Sequence, residues 1–155
     1  MTTIAFRDGV VAADTGMTRA YGGRSGTTIK IVRNAAGDIA AAAGDAGYAA
    51  VFLRWFMAGE AGPPSLPDKE GGVGTIYRAG KPTTLTTFEP SGGFDIEAAY
   101  FAIGSGCCEA LGAMFAGADA PTAVRAAIAH NNGTYGEVTV LRCAAAPNAA
   151  PQRSD

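Results

Sequence analysis

Residues 2–14 read Thr2-Thr3-Ile4-Ala5-Phe6-Arg7-Asp8-Gly9-Val10-Val11-Ala12-Ala13-Asp14, and their pattern decides the fold. Thr2 to Arg7 is rich in strand-forming residues, Asp8-Gly9 is a strong two-residue turn signal, and Val10 to Asp14 returns. A turn at those two residues pairs Thr3 with Asp14 and Thr2 with Thr15 across the hairpin. The Asp14 carboxylate is then one residue from Thr2. Strict alternation puts Thr2 and Asp14 on opposite faces, so direct contact needs twist or a bulge.

Outward from the hairpin, Gly16 to Gly26 reads as a glycine-rich loop with Arg19, Tyr21 and Arg24. A strand is expected at Thr27–Arg33, a turn at Asn34–Asp38 and a strand at Ile39–Ala43. Gly44-Asp45-Ala46-Gly47 opens a helix from Tyr48 to Met57 that is apolar nearly all round. Such a helix is expected to be buried on more than one side, by its own sheet and by another subunit. Gly59 to Gly74 is broken by prolines and glycines and reads as a loop. Strands are expected at Val73–Arg78, Thr83–Phe88 and Tyr100–Ile103, and helices at Cys107–Ala116 and, capped by Asp119, at Ala120–His130. A last strand covers Glu137–Arg142. This order predicts an α+β layered sandwich, a single domain over residues 1–143 followed by a disordered tail over 144–155.

Composition narrows the function. Of 155 residues, 48% are hydrophobic and 17% charged, which favours collapse over disorder. Twelve basic against fourteen acidic residues give a net charge of −2, without the basic footprint of a nucleic-acid binder. The apolar run Ala46–Leu53 is too short to span a bilayer, and the first residues do not resemble a signal peptide, so a cytoplasmic protein with no membrane partner is expected. Three cysteines (Cys107, Cys108, Cys143) make no disulfide framework and read as small buried thiols. His130 is the sole histidine. That leaves no credible zinc site and disfavours any Ser-His-Asp or Cys-His mechanism that does not use His130; no metal or organic cofactor is expected.

Thr2 follows the initiator Met1 directly. A small second residue permits removal of that methionine, leaving a threonine with a free α-amine. A threonine hydroxyl alone is a poor nucleophile, but an α-amine with a pKa near 7.7–8.0 can act as its base from the same residue. Lys30 on a neighbouring strand would favour the alkoxide electrostatically, with Asp14 holding and balancing it.

The residues Thr2-Thr3-Ile4, Val10 to Asp14, Lys30-Ile31-Val32-Arg33, Ile39 to Gly47 and Ala102-Ile103-Gly104-Ser105-Gly106 together resemble proteasome β-type subunits, most nearly the bacterial ATP-dependent HslV type. The resemblance covers about residues 2–58 and 99–142. It implies a four-layer αββα N-terminal nucleophile hydrolase sandwich, assembly into homo-oligomeric rings, and threonine-type hydrolysis of peptides or unfolded proteins. It makes Thr2 the nucleophile, its amine the base and Asp14 and Lys30 the activating pair. It places Gly44 at the oxyanion hole and Ser105 near the threonine amine. Ala43, Asp45 and Gly47 border the pocket for the substrate side chain, and an ATP-dependent unfoldase is a conceivable partner.

The sequence also departs from that pattern. The region between the first helix and Gly104-Ser105-Gly106 is short, so one family helix is expected to be shortened or lost, which weakens the case for family-like rings and for an ATPase cap. Asp45 brings a negative charge beside the oxyanion position. Asn131 and Thr134 stand near where the family has an aspartate and a serine. Two other readings therefore stay open: a ring or shell subunit without turnover, and an aspartic protease of the retroviral type using Asp14-Thr15-Gly16 across a dimer.

Overall fold

The computed structural model describes residues 1–19, 22–66, 71–89 and 91–144. Tyr21 and Pro67, and the tail beyond Ala144, lie outside the described residues. In chain order the elements are β1 (Thr3–Arg7), β2 (Val10–Asp14), β3 (Gly16–Thr18), β4 (Arg24–Thr27), β5 (Ile31–Arg33), β6 (Ile39–Ala43), α1 (Ala46–Met57), β7 (Val73–Tyr77), β8 (Thr84–Glu89), β9 (Gly92–Glu97), β10 (Tyr100–Gly104), α2 (Cys107–Phe115), α3 (Ala120–His130) and β11 (Val138–Arg142). The fold is mixed α and β, with three helices and antiparallel sheets among the described residues.

The opening hairpin has the register its turn dictates, Ile4 against Ala13 and Arg7 against Val10. Asp8 and Gly9 both take positive φ, 51° and 71°, the backbone of a primed two-residue turn whose twist matches the strands it joins. One sheet runs β10-β1-β2-β11 and a second runs β5-β6-β7-β8-β9, while β3 and β4 form a separate ribbon.

Alternation along the strands builds three cores. Ile4, Phe6, Val11 and Ala13 face Ile31, Ile39, Ala41, Tyr77 and Leu85 between the sheets, where Phe6 stacks on Tyr77 at 4.4 Å between ring centroids. The opposite faces of the same strands, Ala5 and Ala12, pack on Ala110, Met114, Ala123 and Val124 of α2 and α3. Ala40, Ala42 and Ile76 pack on Tyr48, Phe52 and Phe56 of α1. Alanine on these outer faces lets the helices sit close to the sheets.

Several sequence expectations change. Within the single chain, helix α1 buries Tyr48, Phe52, Leu53 and Phe56 against the second sheet, and Arg54 and Met57 are exposed. The Asp45 carboxylate caps it by accepting from the Tyr48 N–H at 2.9 Å. Asp45→Ala is expected to lower stability by about 1 kcal/mol and Asp45→Asn to leave it nearly unchanged, read from chemical-denaturation midpoints. The glycine-rich stretch at 16–26 is not simply a loop but holds the β3–β4 ribbon. Nor is Thr27–Arg33 one strand: β4 ends at Thr27, β5 begins at Ile31, and Thr28–Lys30 cross from the ribbon to the second sheet. Strand β9 was not legible because its Gly92-Gly93 start lacks a strand pattern and its residues are largely exposed. Between α1 and β10 the described residues hold three strands and no helix. Cys108 is exposed, and Cys107 and Cys143 are half-buried instead of buried. No helix among the described residues is long and apolar enough to cross a membrane.

Candidate active site

The first residues of β1 are pinned from three directions. Gly104, at the end of β10, takes φ +96°, and a Cβ there would lie 1.9 Å from the Thr2 carbonyl oxygen, so only glycine allows this approach. Next to it the Ser105 hydroxyl accepts from the Thr2 N–H at 3.2 Å and donates to the Thr2 carbonyl at 3.3 Å. The Thr3 hydroxyl lies 2.6 Å from that of Thr134, which donates to Asn131 Oδ1 at 3.3 Å. Asn131 Nδ2 in turn donates to the Ser105 carbonyl at 3.0 Å. Asn131 thus positions the turn that carries Ser105, a role the sequence did not reveal.

Asp14 closes β2 with its side chain fully buried. Its Oδ1 accepts from the Thr3 N–H at 2.8 Å and from Lys30 Nζ at 2.8 Å, and its Oδ2 accepts from the Tyr135 N–H at 3.3 Å. The carboxylate does not bond to Thr2 directly. It meets the neighbouring residue, as the alternation of strand faces requires. The crossing at Thr28–Lys30 turns Lys30 inward, leaving the lysine and aspartate side chains 4% and 0% exposed. Burial pulls the Lys30 ammonium below its ordinary range, and the hydrogen bond to Asp14 opposes this. Lys30 Nζ also donates to the Met1 carbonyl at 3.4 Å.

With Met1 in place, its amine donates to Thr18 Oγ1 at 2.7 Å. That amine is held below the usual α-amine range, first by burial and then by the nearby Lys30 charge. A cavity of about 640 Å³ opens here, bordered by Met1, Thr2, Lys30, Ala43, Gly44, Asp45, the ribbon residues Met17 to Arg19, and Ala46, Ala49 and Ala50 of α1. Thr2 is only 6% exposed, and among the described residues its hydroxyl takes no hydrogen bond.

The structure therefore gathers Thr2, Asp14, Lys30 and Ser105 around one point, with Gly44, Ala43 and Asp45 on the adjoining wall. Gly44 takes φ +93°, and a Cβ there would lie 1.5 Å from the Gly71 carbonyl oxygen. Gly47 does not border the cavity; it belongs to the first turn of α1, beside the capping Asp45 carboxylate. Tyr135 is a residue the sequence reading missed. Its backbone serves Asp14, its hydroxyl donates to the Met17 and Gly26 carbonyls of the ribbon, and Arg24 lies 4.6 Å over its ring. The only sequence signal for it is Gly16, where a Cβ would collide with Tyr135.

No family model matches this chain, and no curated protein matches it in sequence. Solved structures do share its fold. Among them is Thiobacillus denitrificans BPH in complex with epoxomicin, 20% identical, with a TM-score of 0.67 over 94% of this chain and 99% of that one. A second structure of Thiobacillus denitrificans BPH is 19% identical, with a TM-score of 0.67 over 95% of this chain and 99% of that one.

Proposed function

We propose that the chain is a threonine-type endopeptidase acting on peptides or unfolded proteins, with Thr2 as nucleophile once Met1 is removed. The observation that carries this reading is the buried Lys30–Asp14 pair, which bonds to the Met1 carbonyl and the Thr3 N–H on either side of the second residue, whose own hydroxyl is without a partner among the described residues beside an open cavity. A buried ion pair gains little stability over apolar residues of similar volume, so its place beside Thr2 favours a chemical role. The likeness to a protein solved with epoxomicin, a proteasome inhibitor, supports the same reading, which takes the two sheets and the helices packed on them as a four-layer αββα sandwich.

In this mechanism Thr2 Oγ1 attacks the scissile carbonyl carbon and passes its proton to the Thr2 amine, which Ser105 orients. Lys30 stabilises negative charge on the attacking oxygen. Asp14 positions and balances Lys30, and the Gly44 N–H receives the oxyanion. The protonated amine then gives its proton to the leaving amine, and water hydrolyses the ester to restore Thr2. The reading includes a homo-oligomeric, cytoplasmic enzyme, and the absence of a helix between α1 and β10 among the described residues argues against docking of an ATP-dependent unfoldase in the family manner. An aspartic dyad fits less well, because the Asp14 carboxylate is already committed to Lys30 and two backbone amides.

Intact-mass spectrometry of the purified chain, before and after epoxomicin, tests the assignment. The expected result is loss of Met1 and addition of one inhibitor on Thr2. A chain that keeps Met1 while hydrolysing peptides would overturn it. The pH profile is a second test. An amine base works only when neutral, so kcat/KM should rise with pH and level off above the amine pKa. That pKa is expected below the ordinary 7.7–8.0, because burial and Lys30 act on the Thr2 amine as they do on that of Met1. A profile peaking in acid would point to carboxylate chemistry instead.

A further inference from the structure

We infer that a second cavity, at the Asp8-Gly9 end of the opening hairpin, binds a small anionic apolar molecule: a carboxylate carried on a medium-length alkyl or aromatic group. Thr2 stands before the first residue of β1, and this cavity gathers around the last ones. The inference therefore does not rest on the peptidase reading.

The space measures about 450 Å³, within the range of small-molecule sites. It forms where the β1–β2 turn, the end of β11 and the turn after β7 meet. Main-chain bonds hold its walls: the Cys143 N–H donates to the Gly9 carbonyl at 2.9 Å, and the Lys81 N–H to the Arg78 carbonyl at 3.1 Å. The site thus keeps its shape without an occupant.

Its floor is apolar. Phe6, Val10, Pro82 and Cys143 line it, and Phe6 is fixed by its stacking on Tyr77. The Cys143 thiol is turned to the Tyr77 carbonyl at 3.8 Å, so the floor offers a ligand little beyond carbon and sulfur. Burying an apolar group there is favourable whatever its charge.

The rim decides the charge. Arg78, Lys81 and Arg142 line the cavity against Asp8 alone. Arg78 is already committed to Glu60 and Asp38, and Asp8 is drawn to Arg7 at 3.5 Å. Lys81 and Arg142 are exposed and sit in no ion pair among the described residues. The Arg33 guanidinium, donating to the Arg142 carbonyl at 3.1 Å, adds a further cation at this end. In a chain of net charge −2 this surplus is local, and it favours an anion over a cation of the same shape.

The test is calorimetric titration of the full-length protein with octanoate, octylamine and acetate at one ionic strength. Octanoate is expected to bind at least about tenfold more tightly than octylamine, which meets like charge, or acetate, which leaves the floor bare. Lys81→Gln with Arg142→Gln changes two exposed side chains. It is expected to weaken octanoate by about tenfold or more, with the denaturation midpoint near that of the wild type. Saturating octanoate should slow alkylation of Cys143, which lines the cavity, and leave that of the exposed Cys108 on α2 unchanged. Thr2→Ala should bind octanoate as the wild type does, which separates this site from one at the chain's start. Octylamine binding as tightly as octanoate, unchanged affinity in the folded double variant, or Cys143 left unprotected at saturation would each overturn the inference. So would a failure of octanoate to bind at millimolar concentration.

Discussion

Thr2→Ala protein is expected to hydrolyse no peptide above background and to take up no epoxyketone, while unfolding at nearly the wild-type denaturant concentration. The two halves of this result have separate causes. The hydroxyl takes no hydrogen bond among the described residues, and the main-chain contacts of residue 2 run through its N–H and carbonyl to Ser105. Alanine keeps all of these. The loss is a hydroxyl and one buried methyl, on the order of 1 kcal/mol. Turnover, by contrast, loses the atom that forms the covalent intermediate, a change that costs up to about 10⁶ in kcat in a serine hydrolase acting by the same logic. Alanine is also small enough to permit removal of Met1, so the variant keeps the free amine and isolates the hydroxyl. Thr2→Ser retains both groups and is expected to be labelled. Peptide hydrolysis by pure, correctly trimmed Thr2→Ala would show that the nucleophile lies elsewhere.

The hairpin was legible in the sequence because its turn is local. Asp8-Gly9 favours positive φ at both positions, and that alone fixes which residues of β1 and β2 face each other. The turn therefore places Asp14 beside Thr3 without help from any distant contact. Lys30 could be nominated by type but not placed, since its inward turn depends on the chain leaving β4 at Thr27 and entering β5 at Ile31. That break follows from the separate β3–β4 ribbon, which Tyr135 fastens from more than a hundred residues away. Tertiary contacts of this range leave no periodic trace. The same holds for Asn131, which as a residue type says only that it can hydrogen-bond. Its role comes from α3 ending beside the Gly104–Gly106 turn. Asp45 is instructive in the other direction. A carboxylate beside Gly44 reads in sequence as a hazard to an oxyanion, yet it is the N-cap of α1 and its charge is directed at the helix terminus.

Lys30→Met is expected to abolish turnover and to destabilise the fold by about 3–5 kcal/mol, because it strands the Asp14 carboxylate in a buried site with only two backbone donors left. Taken alone, that variant cannot separate a catalytic lysine from a structural one, since an unfolded chain is also inactive. Adding Asp14→Asn makes the separation. The asparagine keeps an acceptor for the Thr3 N–H and removes the unpaired charge, although its amide NH2 cannot accept from the Tyr135 N–H as Asp14 Oδ2 does. The double variant should therefore regain much, though not all, of the lost stability in urea denaturation. Its activity should stay absent, because nothing then stabilises charge on the attacking oxygen. If the ion pair were only a packing device, stability and turnover would return together in the double variant. A chain that refolds with its pair neutralised and hydrolyses peptides at the wild-type rate would remove Lys30 from the chemistry, and with it the strongest physical reason for reading Thr2 as an activated nucleophile.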